Sequence, residues 1–466
     1  MPDKAVLRPL PFVRVRDIGA KAWKQADRRI ESVRSMEDLR KLQSELRDRF
    51  DRMFGPLTDP EAEVPVTEGQ TFEYEGIRVR RVVLRSDKGY DITGWSYVRK
   101  DAGGSMPGIA VAAGHAEAGS FYPFYMKMAL LAARCGCHVL AFDPPGQGSR
   151  REVFAPDDHP VYWDACKQHM QIGMSTSLVG KPLQHFFTCD CMTAVSFLCQ
   201  RPEVDASRIG FVGNSGGGLQ TYHAIGADLR IAAALPSQAT STRRGAIEQG
   251  DVRDICQTSL GAWVHQIDSH EMVLLFAPRP VRIMAEHGYP DQVDVYRKLR
   301  GVYDRIGCPE HLNITSAGLA HGLSLYWREQ ALNWFARYLD VPEPLAVEPD
   351  WPGFDDFRDR VIRSIESDNA RGRGVIAWCQ RQPRGRCQTA SEVRKALRAN
   401  FYLKGATHGR SYPVKDAGGK DAKSGSTGRF TCVLREGYGV PFEVVAGKGP
   451  RRAAVIVDER GGAASQ

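Results

Sequence analysis

The chain has 466 residues, 42% hydrophobic and 25% charged. That can bury a full core and fits about one large and one small domain, while the lack of any 18-residue apolar run excludes a membrane-spanning helix. The net charge of +8 belongs to the tail: from Leu345 onward 22 Lys and Arg face 14 Asp and Glu, so residues 1–344 are balanced. Arg381, Arg384, Arg386, Arg394 and Arg398 have few aromatics among them and read as a solvated surface rather than a nucleic-acid interface.

In chain order, residues 18–54 form a charged amphipathic helical lead, folded back on the main body. Phe72–Leu84 and Ile92–Val98 read as an opening antiparallel strand pair. Strand and helix then alternate: strand 108–113, helix 121–135, strand 137–142, helix 183–201, strand 208–213, helix 217–227, strand 231–235, strand 280–285 and helix 290–306. A short strand from Leu312 and an amphipathic helix from Ser324 to Leu339 close the series. This alternation predicts an α/β fold with a mostly parallel twisted sheet, helices on both faces and ligands at the carboxyl ends of the strands. The insert between Arg150 and Lys181 is long for a connection and falls where a pocket lid belongs. The expected organisation is a helical lead over 1–60, a main domain over 61–344 and a small α+β extension over 345–466.

The N-terminus Met1-Pro-Asp-Lys-Ala-Val-Leu-Arg lacks the apolar core of a secretory signal. Eleven cysteines is an odd number for a disulfide framework, and Cys135, Cys199 and Cys256 fall in apolar or helix-like surroundings. A reducing, cytoplasmic compartment is the expectation. Cys135/Cys137 and Cys189/Cys191 are spaced C-x-C, without a companion pair, and read as buried thiols rather than metal ligands.

The chemistry concentrates in Arg208-Ile-Gly-Phe-Val-Gly-Asn-Ser-Gly-Gly-Gly-Leu, a strand running into a glycine-crowded turn with Ser215 at its apex. A serine used as an acyl nucleophile needs so tight a turn that its neighbours carry almost no side chain, and Gly213, Gly216 and Gly217 supply this. The turn leaves the Gly216 amide to donate to an oxyanion. A base is required, and His321 lies in the loop Ala317-Gly-Leu-Ala-His-Gly between the last strand and the closing helix. Serine followed by histidine about a hundred residues later is the chain order of α/β-hydrolases. His115 follows the strand Gly108-Ile-Ala-Val-Ala-Ala, where the backbone of His115 or Ala116 is expected to give the second oxyanion amide, with the His115 ring as a pocket wall. His169, in a polar stretch, reads as structural or surface. For the acid that orients the base, Glu286 and Asp291 after strand 280–285 stand even, with Asp251 or Asp254 as a third option.

Several blocks together resemble the acetyl xylan esterase-like branch of the α/β-hydrolases, related to dienelactone hydrolase and prolyl oligopeptidase catalytic domains. They are Phe142-Asp-Pro-Pro-Gly-Gln-Gly-Ser-Arg, Ser177-Leu-Val-Gly, Arg201-Pro-Glu-Val-Asp through Gly218, Ala277-Pro-Arg-Pro-Val and Ala317-Gly-Leu-Ala-His-Gly. The resemblance covers about residues 20–340. It implies an α/β-hydrolase fold, Ser215 as nucleophile and His321 as base. It also implies that Gln147 and Arg150 shape the pocket or brace the core, and that the acyl group is short, acetate first. The sequence departs from the family at the acid, because the usual slot falls near Gly288. The tail segments Gly428–Val445 and Arg452–Ser465 can be laid over Val82–Val98 and Gly108–Ser120, and so resemble the opening strands of a second such unit, without a second elbow or base.

The expected function is a serine esterase acting on a small-molecule or carbohydrate ester, with no metal or organic cofactor, no nucleic-acid partner and no membrane partner. A homo-oligomer is compatible with the sequence. A non-catalytic hydrolase-like scaffold is the reading from another class. A prolyl-oligopeptidase-like peptidase is disfavoured because no propeller precedes the domain.

Overall fold

A computed structural model describes residues 23–154, 164–239, 255–257, 265–286, 290–343, 347–364 and 373–382, together with the backbone of three strands beyond residue 427; for residues 290–295 it describes the backbone alone. Residues 16–383 form one compact unit.

The unit is built on nine strands: β1 Val66–Tyr74, β2 Ile77–Arg85, β3 Asp91–Arg99, β4 Met106–Ala112, β5 His138–Phe142, β6 Val204–Asn214, β7 Ile231–Ser237, β8 Val281–Glu286 and β9 Leu312–Ala317. Their order across the sheet is β1-β2-β3-β5-β4-β6-β7-β8-β9. Pairing is antiparallel as far as β3 against β5 and parallel from β5 onward.

The helices are α1 (23–32), α2 Met36–Phe54, α3 Pro123–Arg134, α4 Ala165–Leu178, α5 Leu183–Cys199, α6 Gly216–Ala227, α7 Ser269–Phe276, α8 Pro290–Arg305, α9 Leu325–Leu339, α10 Phe354–Arg363 and α11 Val375–Arg381. None of the described helices is long and apolar enough to cross a membrane.

Successive residues of the central strands feed opposite faces, as the two-residue period of a strand requires. Ala110, Leu140, Phe142, Ile209 and Phe211 enter a core with α2, α5, α6, α7 and α8. Ile109, Val111, Val139, Ala141 and Val212 enter the other, with α3, α9 and α10. Each large apolar side chain so buried contributes about 1.5–3 kcal/mol.

Three expectations are corrected. The strand expected over Phe72–Leu84 is a hairpin: Glu75 and Gly76 both take positive φ (50° and 74°), the turn that matches strand twist. The lead expected as one helix over 18–54 is interrupted, because Ser35 caps a new helix by accepting from the Asp38 amide at 3.2 Å. The boundary expected at 344/345 lies later. Phe354, Phe357 and Val361 pack in the same core as Trp327 and Phe335, so the compact unit runs to Pro383.

In the tail, β10 Gly428–Val433, β11 Gly439–Gly447 and β12 Arg452–Val457 form an antiparallel three-stranded sheet in that order.

Candidate active site

β6 hands Ser215 to the first turn of α6. Ser215 sits at φ 59° and ψ −121°, a conformation that costs a non-glycine residue about 1–3 kcal/mol and persists only where the surroundings enforce it. They do so here: the Ser215 amide donates to the Ser237 carbonyl on β7 at 2.8 Å, and the Ser215 carbonyl accepts from Leu219 at 3.0 Å. A Cβ at Gly213 would lie 2.2 Å from the Gly217 carbonyl oxygen, one at Gly217 2.1 Å from that of Ala112, and one at Gly218 2.3 Å from that of Ser237. At Gly216 the nearest atom is 3.6 Å away, so Gly218, not Gly216, is the third glycine that crowding demands.

The loop after β4 runs beside this elbow. Gly114 donates its amide to the Tyr125 hydroxyl at 2.7 Å, and the Gly114 and Ala116 carbonyls both accept from the Gln147 side chain, at 2.7 and 3.0 Å. Gln147 therefore braces the loop as well as lining the cleft. The position of a Gly216 Cβ lies 3.7 Å from the His115 amide nitrogen, so the His115 backbone runs against the elbow.

Of the two roles expected for Arg150, shaping the pocket or bracing the core, its burial fits the second. Arg150 forks onto Asp190 of α5, donates to the Asp143 carbonyl at 3.1 Å and lies over the Tyr90 ring. A fully desolvated guanidinium needs such partners, so it serves the core. Asp143, given no role by the sequence, accepts from Thr93, Ser120 and Ser149 and ties the loops around the site together.

β8 and β9 pair in parallel with Glu286 opposite Ala317, so the acid at the end of one strand and the loop leaving the other emerge side by side. His321 Nδ1 donates to Glu286 Oε1. The ring is 54% exposed and the carboxylate 17%. Asp291 lies in the first turn of α8, with its side chain outside the described residues, as are Asp251 and Asp254 altogether.

A residue not singled out in the sequence holds the histidine loop. Gln238, immediately after β7, accepts from the Gly322 amide at 2.6 Å and donates to the Ala320 carbonyl at 3.5 Å, bracketing His321. The preceding residue is Ser237, the partner of the Ser215 amide, so the elbow and the histidine loop share one strand end. The Phe124 ring packs on Gly322, where φ is +143° and a Cβ would meet that ring.

A cleft of about 210 Å³ opens beside the elbow and the loop after β4, lined by Gly114, His115, Gln147, His169, Gly216 and Cys256 among others. His169 is not on the surface. It projects from α4 into the cleft wall, and burial, aided by the facing His115, pushes its pKa down to about 3. The His115 Nε2 lies 3.2 Å from His169 Nδ1 and 3.1 Å from the Cys256 sulfur.

A strained serine between strand and helix, a histidine–carboxylate pair at the same sheet edge and this strand order define an α/β-hydrolase fold. Solved structures bear this out. The chain is similar to a methylesterase, BT1017, with 16% identity over 82% of this chain and 80% of that one and a TM-score of 0.53. It is also similar to a protein of Bacteroides fragilis NCTC 9343 assigned to the acetyl xylan esterases, with 13% identity over 74% and 94% and a TM-score of 0.50. No family model and no curated protein matches the sequence.

Proposed function

We propose that the chain is a serine carboxylic-ester hydrolase working through an acyl-enzyme on Ser215. The observation that carries this reading is the His321–Glu286 pair, delivered by β8 and β9 to the sheet edge where β6 presents Ser215. In the first half-reaction His321 takes the hydroxyl proton as the Ser215 oxygen bonds to the ester carbonyl carbon. The oxyanion is met by the Gly216 and His115 amides, and the alcohol leaves with the proton from His321. In the second half-reaction His321 takes a proton from water, the hydroxide attacks the acyl carbon, and the acid departs as the proton returns to Ser215. Glu286 holds the imidazole tautomer and stabilises the imidazolium in both halves.

Acetyl esters, including those of carbohydrates, are in keeping with the name of one similar structure, and methyl esters, whose acyl part is the larger half, with that of the other. The test is labelling by a fluorophosphonate probe. Labelling at Ser215 that disappears in Ser215→Ala, with turnover of p-nitrophenyl acetate exceeding that of longer esters, is expected. Absence of labelling in folded protein would favour a non-catalytic scaffold.

A further inference from the structure

His115, His169 and Cys256 come from three separate elements: the loop after β4, helix α4 and the short stretch 255–257. Their donor atoms nevertheless all lie within 4.8 Å of one another. The His115 Nε2 faces both the His169 Nδ1, at 3.2 Å, and the Cys256 sulfur, at 3.1 Å. A single proton on that nitrogen cannot serve both neighbours fully, whereas a cation between the three accepts a lone pair from each. Zinc–nitrogen bonds of about 2.0–2.1 Å and zinc–sulfur bonds near 2.3 Å at tetrahedral angles put ligand atoms roughly 3.3–3.6 Å apart, so the two spacings from His115 need only a small expansion, and the third lies within 4.8 Å.

The surroundings hold these groups in place. The Gln184 side chain on α5 donates to the Ile255 and Cys256 carbonyls at 2.7 and 2.8 Å, fixing the segment that carries the thiol. Gly173 of α4 packs so closely on Ile255 that a Cβ would lie 2.9 Å from it. Phe187 sets its ring against His169 at 5.3 Å between centroids. The Gln257 side-chain nitrogen stands 3.3 Å from His115 Nδ1 and fixes the ring's other edge.

We propose that His115, His169 and Cys256 bind a borderline-soft divalent metal ion, zinc by preference, in the wall of the cleft beside Gly216. Two imidazoles and a thiolate are the wrong donors for magnesium or calcium, which take oxygen ligands. On binding, the Cys256 thiol loses one proton to solvent and its sulfur lone pair forms the metal bond. The imidazoles bind as neutral bases, and a fourth position faces the cleft for water or an anionic oxygen.

The test uses the full chain, stripped with a chelator and titrated with cobalt(II). One ion per chain, a sulfur-to-cobalt charge-transfer band, tetrahedral visible bands displaced by zinc and release of one proton are expected. Cys256→Ser should lose the charge-transfer band, and His169→Ala should weaken zinc binding at least tenfold, both with unchanged circular dichroism. The same titration on Ser215→Ala should match the wild type, which separates this proposal from the esterase reading. Folded wild-type protein without the cobalt spectrum, or variants that bind as the wild type does, would overturn it in favour of a hydrogen-bonded triad.

Discussion

Replacing Glu286 tests the candidate mechanism at the point where the sequence left two acids even. Glu286 faces the Nδ1 edge of His321, so in the proposed mechanism its charge acts on the imidazolium formed when Ser215 gives up its proton. Opposite charges about 4 Å apart attract by about 4 kcal/mol at an effective dielectric of 20 and about 1 kcal/mol in water. The carboxylate is largely sheltered and the ring half exposed, so the interaction falls between these limits. Glu286→Ala should therefore lower kcat by roughly 10- to 1,000-fold. Glu286→Gln should fall at least as far, because its amide can donate to Nδ1 and so favour the tautomer that keeps the proton on Nε2; an error of this kind costs about 10⁴ in a protease triad. KM should stay near the wild-type value, since the carboxylate faces the imidazole and not the ester. The assay is p-nitrophenyl acetate hydrolysis, with fluorophosphonate labelling rates in parallel and Asp291→Asn as the control expected within twofold of wild type. The reasoning is refuted if Glu286→Gln keeps wild-type kcat, or if Asp291→Asn loses a hundredfold while remaining folded.

Three further outcomes follow from the same contacts. Gly217→Ala forces a Cβ onto the Ala112 carbonyl and should cost more than the usual 1–3 kcal/mol of overpacking, whereas Gly216→Ala should keep or slightly raise the melting temperature; equal losses would contradict the assignment of crowding to Gly217. Gln238→Ala leaves the buried Gly322 amide without its acceptor, at about 1–3 kcal/mol, and should lower kcat tenfold or more with little change in KM. Gln238→Glu retains an acceptor and should recover much of that loss, and a purely structural role would instead show as lowered melting with kcat intact. His185 is buried, donates Nδ1–H to the Phe54 carbonyl and has its pKa pushed from 6.5 down to about 4, chiefly by burial. The unfolded chain thus takes up a proton below 6.5 that the folded chain refuses until near 4, so its contribution is complete above 6.5 and falls as pH drops between those values, by up to about 1.4 kcal/mol per unit. His185→Gln should flatten the fall in urea midpoint between pH 7 and pH 5, and an unchanged slope would show that another group governs it.

What the sequence disclosed and what it withheld divide along a physical line. The central βα alternation was legible because strands buried on both faces are continuous apolar runs: the expected 108–113 and 137–142 are β4 and β5 to within two residues. β1 escaped notice because it is an edge strand whose residues are mostly exposed, so no apolar period marks it, and the Glu75-Gly76 turn was read through as strand. Ser215 and His321 announced themselves through local glycine chemistry and chain order, which act within a few residues.

The choice between Glu286 and Asp291 could not be made locally, because it depends on the register of β8 with β9 that brings Glu286 opposite Ala317. Gln238 is harder still, and Gln147 is marked only by the family resemblance. Gln238 bonds to Gly322 across 84 positions and Gln147 to Gly114 across 33, and nothing in the flanking residues encodes such a partner. Cys256 is the extreme case, a thiol that reads as ordinary core filling until the fold sets it beside a histidine 141 residues earlier. The candidate reacting groups of this site are therefore written in short motifs, while the groups proposed to aim them are carried at strand ends and become visible only once the parallel sheet has brought those ends to one edge.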